Sequence, residues 1–169
     1  IAETLVTEDS RWRPRMLRLL EQAYARAPFR DAMLALVDRV LATPGRSIAG
    51  ISAASVRAVC EHVGLNVTWR TGREIDPTPG LKGSARVIAL CQALGAQRYV
   101  NAPGGRELYD PAEFARAGIE LRFLRPVLPA YEQQSGTPFQ AGLSIIDVLM
   151  FNPPDQVRTW MEAHELDQD

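Results

Sequence analysis

The sequence is short of the residues on which catalysis most often depends. Two histidines, His62 and His164, and two cysteines, Cys60 and Cys91, are spread over 169 residues. Neither histidine has triad partners or metal-ligand spacing, so both read as structural or exposed. The cysteines lie far apart in helix-like segments with no CxxC pairing, which points to reduced, partly buried thiols of a cytoplasmic protein rather than a disulfide framework. No apolar run approaches the ~18 residues of a membrane span, and no signal-peptide pattern is present. The glycine-rich fingerprints G-x-x-x-x-G-K-[ST] and G-x-G-x-x-G are missing too. Lysine is nearly absent: of 19 basic residues, Lys82 alone is not arginine. The formal net charge of −1 excludes a partner held by bulk electrostatics, such as duplex DNA or an anionic membrane.

What remains is an ordinary globular composition, 46% hydrophobic and 23% charged. A chain of this length suits one domain and buries roughly 70% of its unfolded surface. Residues 1–8 alternate loosely as a strand. Asp9 or Ser10 caps a helix from about 11 to 27, with Trp12, Met16, Leu19, Leu20, Ala23 and Tyr24 facing a core and Arg11, Arg15 and Arg18 on a solvated face. A second helix runs from about 30 to 41. Ser47 or Ser52 opens a third, which Gly64 closes.

Further along, 65–70 reads as a strand and 71–81 as irregular. A helix over 83–94 follows, then a strand at 98–101, a helix at 111–117 and an alternating strand at 119–124. Residues 126–139 form a proline-rich loop, and two helices over 143–151 and 155–164 close the chain. Trp12, Trp69 and Trp160 read as core. This order predicts a single α/β domain over 1–169, with a helical part at about 9–64, an α/β part at about 65–125 and C-terminal helices at about 143–164. Its sheet is expected to be short, mostly parallel and flanked by helices in Rossmann-like layering.

In such sheets ligands gather at the carboxyl ends of strands. Asn101-Ala102-Pro103-Gly104-Gly105-Arg106-Glu107-Leu108-Tyr109-Asp110-Pro111 lies at one of these ends. Gly104 and Gly105 can take positive φ and let the backbone approach a ligand closely, and Arg106 suits a phosphate or carboxylate. The alternative is a tight turn with Asp110 as N-cap and Pro111 in the first helical position, which accounts fully for those two residues. A second helix start, Gly80-Leu81-Lys82-Gly83-Ser84-Ala85-Arg86, places Lys82 and Arg86 near unpaired N–H groups. With Ser84 as the cap, Lys82 is a cation at the positive end of a helix dipole, a position that a bound anion relieves. Asp147 sets a carboxylate inside the apolar run Leu143–Phe151, where it must be hydrogen-bonded or paired; it is the one general-base candidate. Tyr131 and Gln133 offer hydrogen bonds to a polar substrate.

Several of these segments together resemble the WbqC-like family of bacterial proteins. The matching residues are Trp12 with Tyr24-Ala25-Arg26-Ala27-Pro28-Phe29, and Lys82-Gly83 with Arg86-Val87. They continue through Leu94-Gly95-Ala96, Tyr99-Val100-Asn101 and Gly104–Asp110. Phe114, Gly118-Ile119, Tyr131-Glu132-Gln133, Phe139 and Leu143–Asn152 complete the set, LSIIDVLMFN being the most specific. The resemblance implies a component of O-antigen or lipopolysaccharide and other surface-polysaccharide biosynthesis, with transfer of a glycyl-like aminoacyl or acyl group to an amino sugar. It also implies a preceding strand and a QPxYxPxxGYF-like segment that this chain, opening at Ile1, lacks, so the domain is expected to be N-terminally incomplete.

Two functions follow. One is a transferase acting on a small-molecule substrate activated as a nucleotide or nucleotide-sugar. In it Lys82, Arg86 and Arg106 hold anionic groups, Gly104 and Gly105 shape the loop, and Asn101, Tyr109, Tyr131 and Gln133 orient the acceptor. The other is a non-catalytic binding or assembly module, a homo-oligomer or the partner of a pathway enzyme. Neither needs a metal, a membrane span or nucleic acid.

Overall fold

The computed structural model describes residues 4–7, 11–45, 47–75, 78, 80–127, 129–134, 136 and 138–167. The chain divides into two compact units, residues 1–67 with 128–160 and residues 68–127 with 161–169. The architecture is α/β and rich in helix, with a small three-stranded sheet among the described residues.

The first unit is helical. It contains α1 (Trp12–Ala23), α2 (Arg30–Leu41), α3 (Ile48–His62), α7 (Ile145–Phe151) and most of α8 (Pro154–Glu162). In α2 the core face is Met33, Leu36, Val37 and Val40, an i, i+3, i+4, i+7 pattern. These residues pack with Ala58, Val59 and Val63 around the buried Leu149, Met150 and Val157.

The expected inner face of α1 is rotated. Met16 and Leu19 are exposed, and Leu17, Leu20 and Tyr24 meet the core instead. Arg13 sits on that same face and explains the rotation. Its Nε and Nη2 donate to Asp38 Oδ1 on α2 at 2.9 and 2.6 Å, so the charged pair and the apolar stripe must share a side. The caps expected at Asp9 or Ser10 lie outside the described residues. Ser47 does cap α3, its hydroxyl accepting from Gly50 N–H. In the N-terminal segment Leu5 forms an isolated antiparallel bridge to Ser47, and Thr4 O accepts from Ile48 N–H at 2.9 Å.

The second unit holds α4 (Gly72–Ile75), α5 (Gly83–Ala93), β1 (Arg98–Asn101), the 3₁₀ helix η1 (Pro103–Leu108), α6 (Pro111–Arg116), β2 (Glu120–Pro126) and β3 (His164–Asp167). The strands β1 and β2 run parallel, with Arg98 beside Glu120 and Asn101 beside Phe123. Two helix ends aim these strands. Gly95 and Gly118 take φ of 63° and 72°, which glycine adopts without a Cβ penalty. In each case the following amide reaches back to the helix: Ala96 N–H to Cys91 O and Ile119 N–H to Phe114 O. These closures are Schellman caps. Phe114, Ile119, Leu121, Phe123 and Cys91 form the buried core, with Tyr99 and Tyr109 packed against it.

Two features depart from expectation. Residues 65–70 form no strand; Val67 and Trp69 are exposed, so alternation there had no sheet to serve. Conversely, His164–Asp167 leaves the closing helix and pairs antiparallel with β2, Leu124 beside Leu166. The sheet is therefore mixed, in the order β1-β2-β3. No described helix is long and apolar enough to cross a membrane.

Candidate functional site

In the first unit, Ser144 caps α7 by accepting from Ile146 N–H, which places Asp147 in the first helical turn. Asp147 is buried, with 4% of its surface exposed. A carboxylate removed from water needs donors, and the loop over 129–140 brings them. Tyr131 Oη donates to Asp147 Oδ2 at 2.6 Å, and Gln133 Nε2 reaches the same oxygen at 3.0 Å. Tyr24, just past the end of α1, has its phenol close enough to Asp147 to feel that charge, and both line one cavity.

Gln133 also holds the loop's own shape. Its Nε2 donates to Gln140 O at 3.0 Å, while Gln140 N–H donates to Gln133 Oε1 at 2.8 Å. A side-chain amide thus stands in for a backbone pairing partner. The Tyr131 ring is gripped on two sides, edge-on by Phe139 at 5.4 Å and by Trp160 at 6.0 Å between centroids.

Electrostatics keep both phenols protonated. Tyr24 is pushed up to about 12, first by burial and then by the Asp147 charge. Tyr131 is also pushed up to about 12, by burial first and then by its hydrogen bond to Asp147, with Gln133 opposing. Both remain donors across the physiological range.

This cluster borders a cavity of about 370 Å³, with Tyr24, Gln133, Gln140, Asp147 and Phe151 in its wall. A cavity of about 550 Å³ shares Tyr24, Gln133 and Phe151 and adds Arg26 and Glu132. The arrangement presents a buried carboxylate, the Tyr24 phenol and side-chain amides to that space. It can bind an ammonium or hydroxyl group and accept a proton from it. Sequence reasoning set Tyr131, Gln133 and Asp147 apart, and the structure brings the three together. It missed Tyr24 as a polar partner, because helical spacing made that ring look like core alone.

The other candidates lie in the second unit, where several have structural work. Neither Gly104 nor Gly105 takes positive φ, because Pro103–Leu108 winds into a 3₁₀ helix rather than a Gly-Gly turn. Gly105 is needed for space instead: a Cβ there would sit 2.2 Å from Asn101 Nδ2. Asn101 Oδ1 accepts from Ala102 N–H at 2.8 Å. Arg106 lies over the Phe123 ring, 4.8 Å from its centroid, and pairs with Asp167 of β3 at 2.8 Å. Tyr109 packs edge-on against Tyr99 and Phe114.

Asp110 caps α6, accepting from Ala112 N–H, and Pro111 opens that helix. Lys82 is exposed at the N-cap of α5, the position sequence reasoning gave to Ser84. Arg86 is half-buried one turn on, its Nη2 3.6 Å from where a Gly72 Cβ would stand. Among the described residues no cluster of three His, Cys, Asp or Glu is placed to hold a metal.

The model of the WbqC-like protein family matches residues 1–159 of the 169. The chain belongs to the WbqC-like protein family. Neither the curated proteins nor the solved structures contain a match. Membership in the WbqC-like family does not by itself fix the chemistry, which rests on the chain's own side chains.

Proposed function

We propose that the chain is a cytoplasmic transferase that moves an acyl or glycyl-like aminoacyl group onto the amino group of an amino sugar during bacterial surface-polysaccharide assembly. The observation that carries this reading is the buried Asp147 carboxylate, whose Oδ2 accepts from a phenol and an amide and which borders a cavity of about 370 Å³. In the proposed reaction the acceptor ammonium displaces a donor from Asp147 and gives it a proton. The freed nitrogen attacks the acyl carbon and a C–N bond forms; the bond from that carbon to its activating group breaks, and that group leaves with its electron pair and the nitrogen's second surplus proton. Tyr131 and Gln133 fix the carboxylate, and Tyr24 bounds the acceptor.

Within the second unit, Lys82 and Arg86, with Asn101, Gly104, Gly105, Arg106 and Tyr109 of the 101–110 loop, are proposed as a separate region that meets the anionic part of a nucleotide-activated substrate. Arg106 reaches such a group only by giving up Asp167. That commitment favours the second reading, a non-catalytic assembly module, because the guanidinium best suited to phosphate already has structural partners.

Calorimetric titration with UDP-glucosamine, followed by mass spectrometry of the sugar after incubation with acyl donors, separates the two. The transferase reading expects binding and a mass gain on the amine, both lost in Asp147→Asn. Stable capture of a pathway enzyme with no mass gain for any donor supports the module instead.

A further inference from the structure

The larger cavity carries charges of both signs that have not neutralised each other. Arg26 and Glu132 both line it. Each is exposed, and neither forms an ion pair among the described residues. Two long, opposite side chains on one wall ordinarily drift together or into bulk water. Here each sits beside residues of the Asp147 cluster, Arg26 two residues after Tyr24 and Glu132 between Tyr131 and Gln133.

Arg26 lies in the turn between α1 and α2. Ala27 N–H donates to Tyr24 O at 2.9 Å, and Phe29 N–H anchors the turn to Met150 O at 3.1 Å. Arg30 Nη1 secures Ala25 O from the other side at 3.2 Å. Glu132 stands between Tyr131 and Gln133, both bonded to Asp147. Both charges line a space of about 550 Å³, within the usual range for small-ligand sites, and the backbone beside Arg26 is tied down.

We propose that this compartment binds a ligand bearing both an ammonium and an anionic group, with phosphate or carboxylate against Arg26 and the ammonium against Glu132. Guanidinium suits a bidentate anion and an unpaired carboxylate suits an ammonium. The inference goes beyond the acceptor reading: there an ammonium meets Asp147, whereas this one meets Glu132 in the neighbouring cavity that shares Tyr24, Gln133 and Phe151. It makes Arg26 and Glu132 specificity residues for a zwitterion, drawn either from an amino-sugar phosphate or from a free α-amino acid.

Four probes test this on the full chain, read by calorimetry and by fluorescence of Trp160, which packs on Tyr131. Glucosamine 1-phosphate carries both groups, glucosamine lacks the phosphate, N-acetylglucosamine 1-phosphate lacks the ammonium, and L-alanine represents the amino acids. Glucosamine 1-phosphate is expected to bind at least tenfold more tightly than either singly charged sugar. Arg26→Ala removes the preference for phosphate and Glu132→Gln the preference for the free amine, both with unchanged circular dichroism. Tighter binding of L-alanine, with the same dependence on both residues, assigns the site to an amino acid. Equal binding of all four, binding of none, or indifference to both substitutions overturns the inference. If Asp147-dependent transfer persists in that case, the acceptor reading stands alone. If transfer is absent while Arg26-dependent and Glu132-dependent binding remains, the transferase reading falls and the zwitterion site stands.

Discussion

The Tyr131 hydroxyl donates a 2.6 Å hydrogen bond to the buried Oδ2 of Asp147, sixteen residues further along the chain. This contact ties the 129–140 loop to α7. Gln133 adds a second donor to the same oxygen and closes the loop onto Gln140. The candidate chemistry and the fold of this segment thus depend on one carboxylate.

Removing that charge has a predictable cost. Asp147→Asn keeps the shape but loses charge assistance to its donors, and a hydrogen bond to a charged group contributes about 1.5–3 kcal/mol. Urea denaturation is expected to show a loss of about 2 kcal/mol. Tyr131→Phe, which retains the ring against Phe139 and Trp160, is expected to lose a similar amount. Because both changes break the same bond, the double variant should cost clearly less than the sum. Full additivity would show that Tyr131 and Asp147 are not coupled.

The phenols give a pH signature. Tyr24, Tyr99 and Tyr131 are each raised to about 12 from an ordinary value of 10.0. For Tyr99 burial is the largest cause, followed by its hydrogen bond to Tyr109. A folded-state value above the unfolded one means that the stability these groups confer is complete below about pH 10. It is lost as pH climbs through about 12. Phenolate absorbance at about pH 11 is expected to be far lower in native than in urea-unfolded protein. Superimposable titrations of the two states would contradict the burial of these hydroxyls.

Legibility in the sequence followed the range of the signal. The helix α2 and the strand β1 appear at the expected residues because their cues are local, an apolar stripe in one case and a short β-branched and aromatic run in the other. Asp110 and Gly95 were readable as caps for the same reason. The strand β3 was not, since His164-Glu165-Leu166-Asp167 is short and polar and is held in place by β2. Arg125 of β2 meets Glu165 there, a pairing forty residues apart that no local pattern reports. The alternation at 65–70 was real but had no neighbouring strand. At the site, Asp147 stood out as a charge in an apolar run, whereas its partner Tyr24 was hidden by the helical spacing that also marks core.

The two glycines of the 101–110 loop should behave differently. At Gly104 an added Cβ meets nothing within 4 Å, and its φ is not positive. Gly104→Ala is expected to shift stability by no more than about 0.5 kcal/mol. At Gly105 the Cβ would lie 2.9 Å from Asn101 Cγ as well as 2.2 Å from Nδ2. Gly105→Ala must push that side chain off Ala102 N–H, an overpacking cost of about 1–3 kcal/mol. Asn101→Ala in the same background removes the obstruction and is expected to restore part of the loss, as thermal melts would show. Without that recovery, the need for glycine would have another origin.

Arg106 separates structure from ligand binding within the second unit. Its guanidinium covers Phe123 of β2 and pairs with Asp167 at the end of β3. Both charged side chains are about a third exposed, so solvent screens the pair. The cation–π contact and the ion pair together contribute about 1 kcal/mol. Arg106→Ala is expected to lower the melting temperature modestly and to speed amide exchange across 164–167. Arg106→Lys keeps the charge without the planar fork and should recover less than half of that protection. UDP-glucosamine affinity supplies the second readout. If Arg106 leaves Asp167 to hold the nucleotide phosphates, Asp167→Asn frees it and tightens binding while Arg106→Ala weakens it. If the residue is purely structural, both variants loosen β3 equally and leave the affinity unchanged.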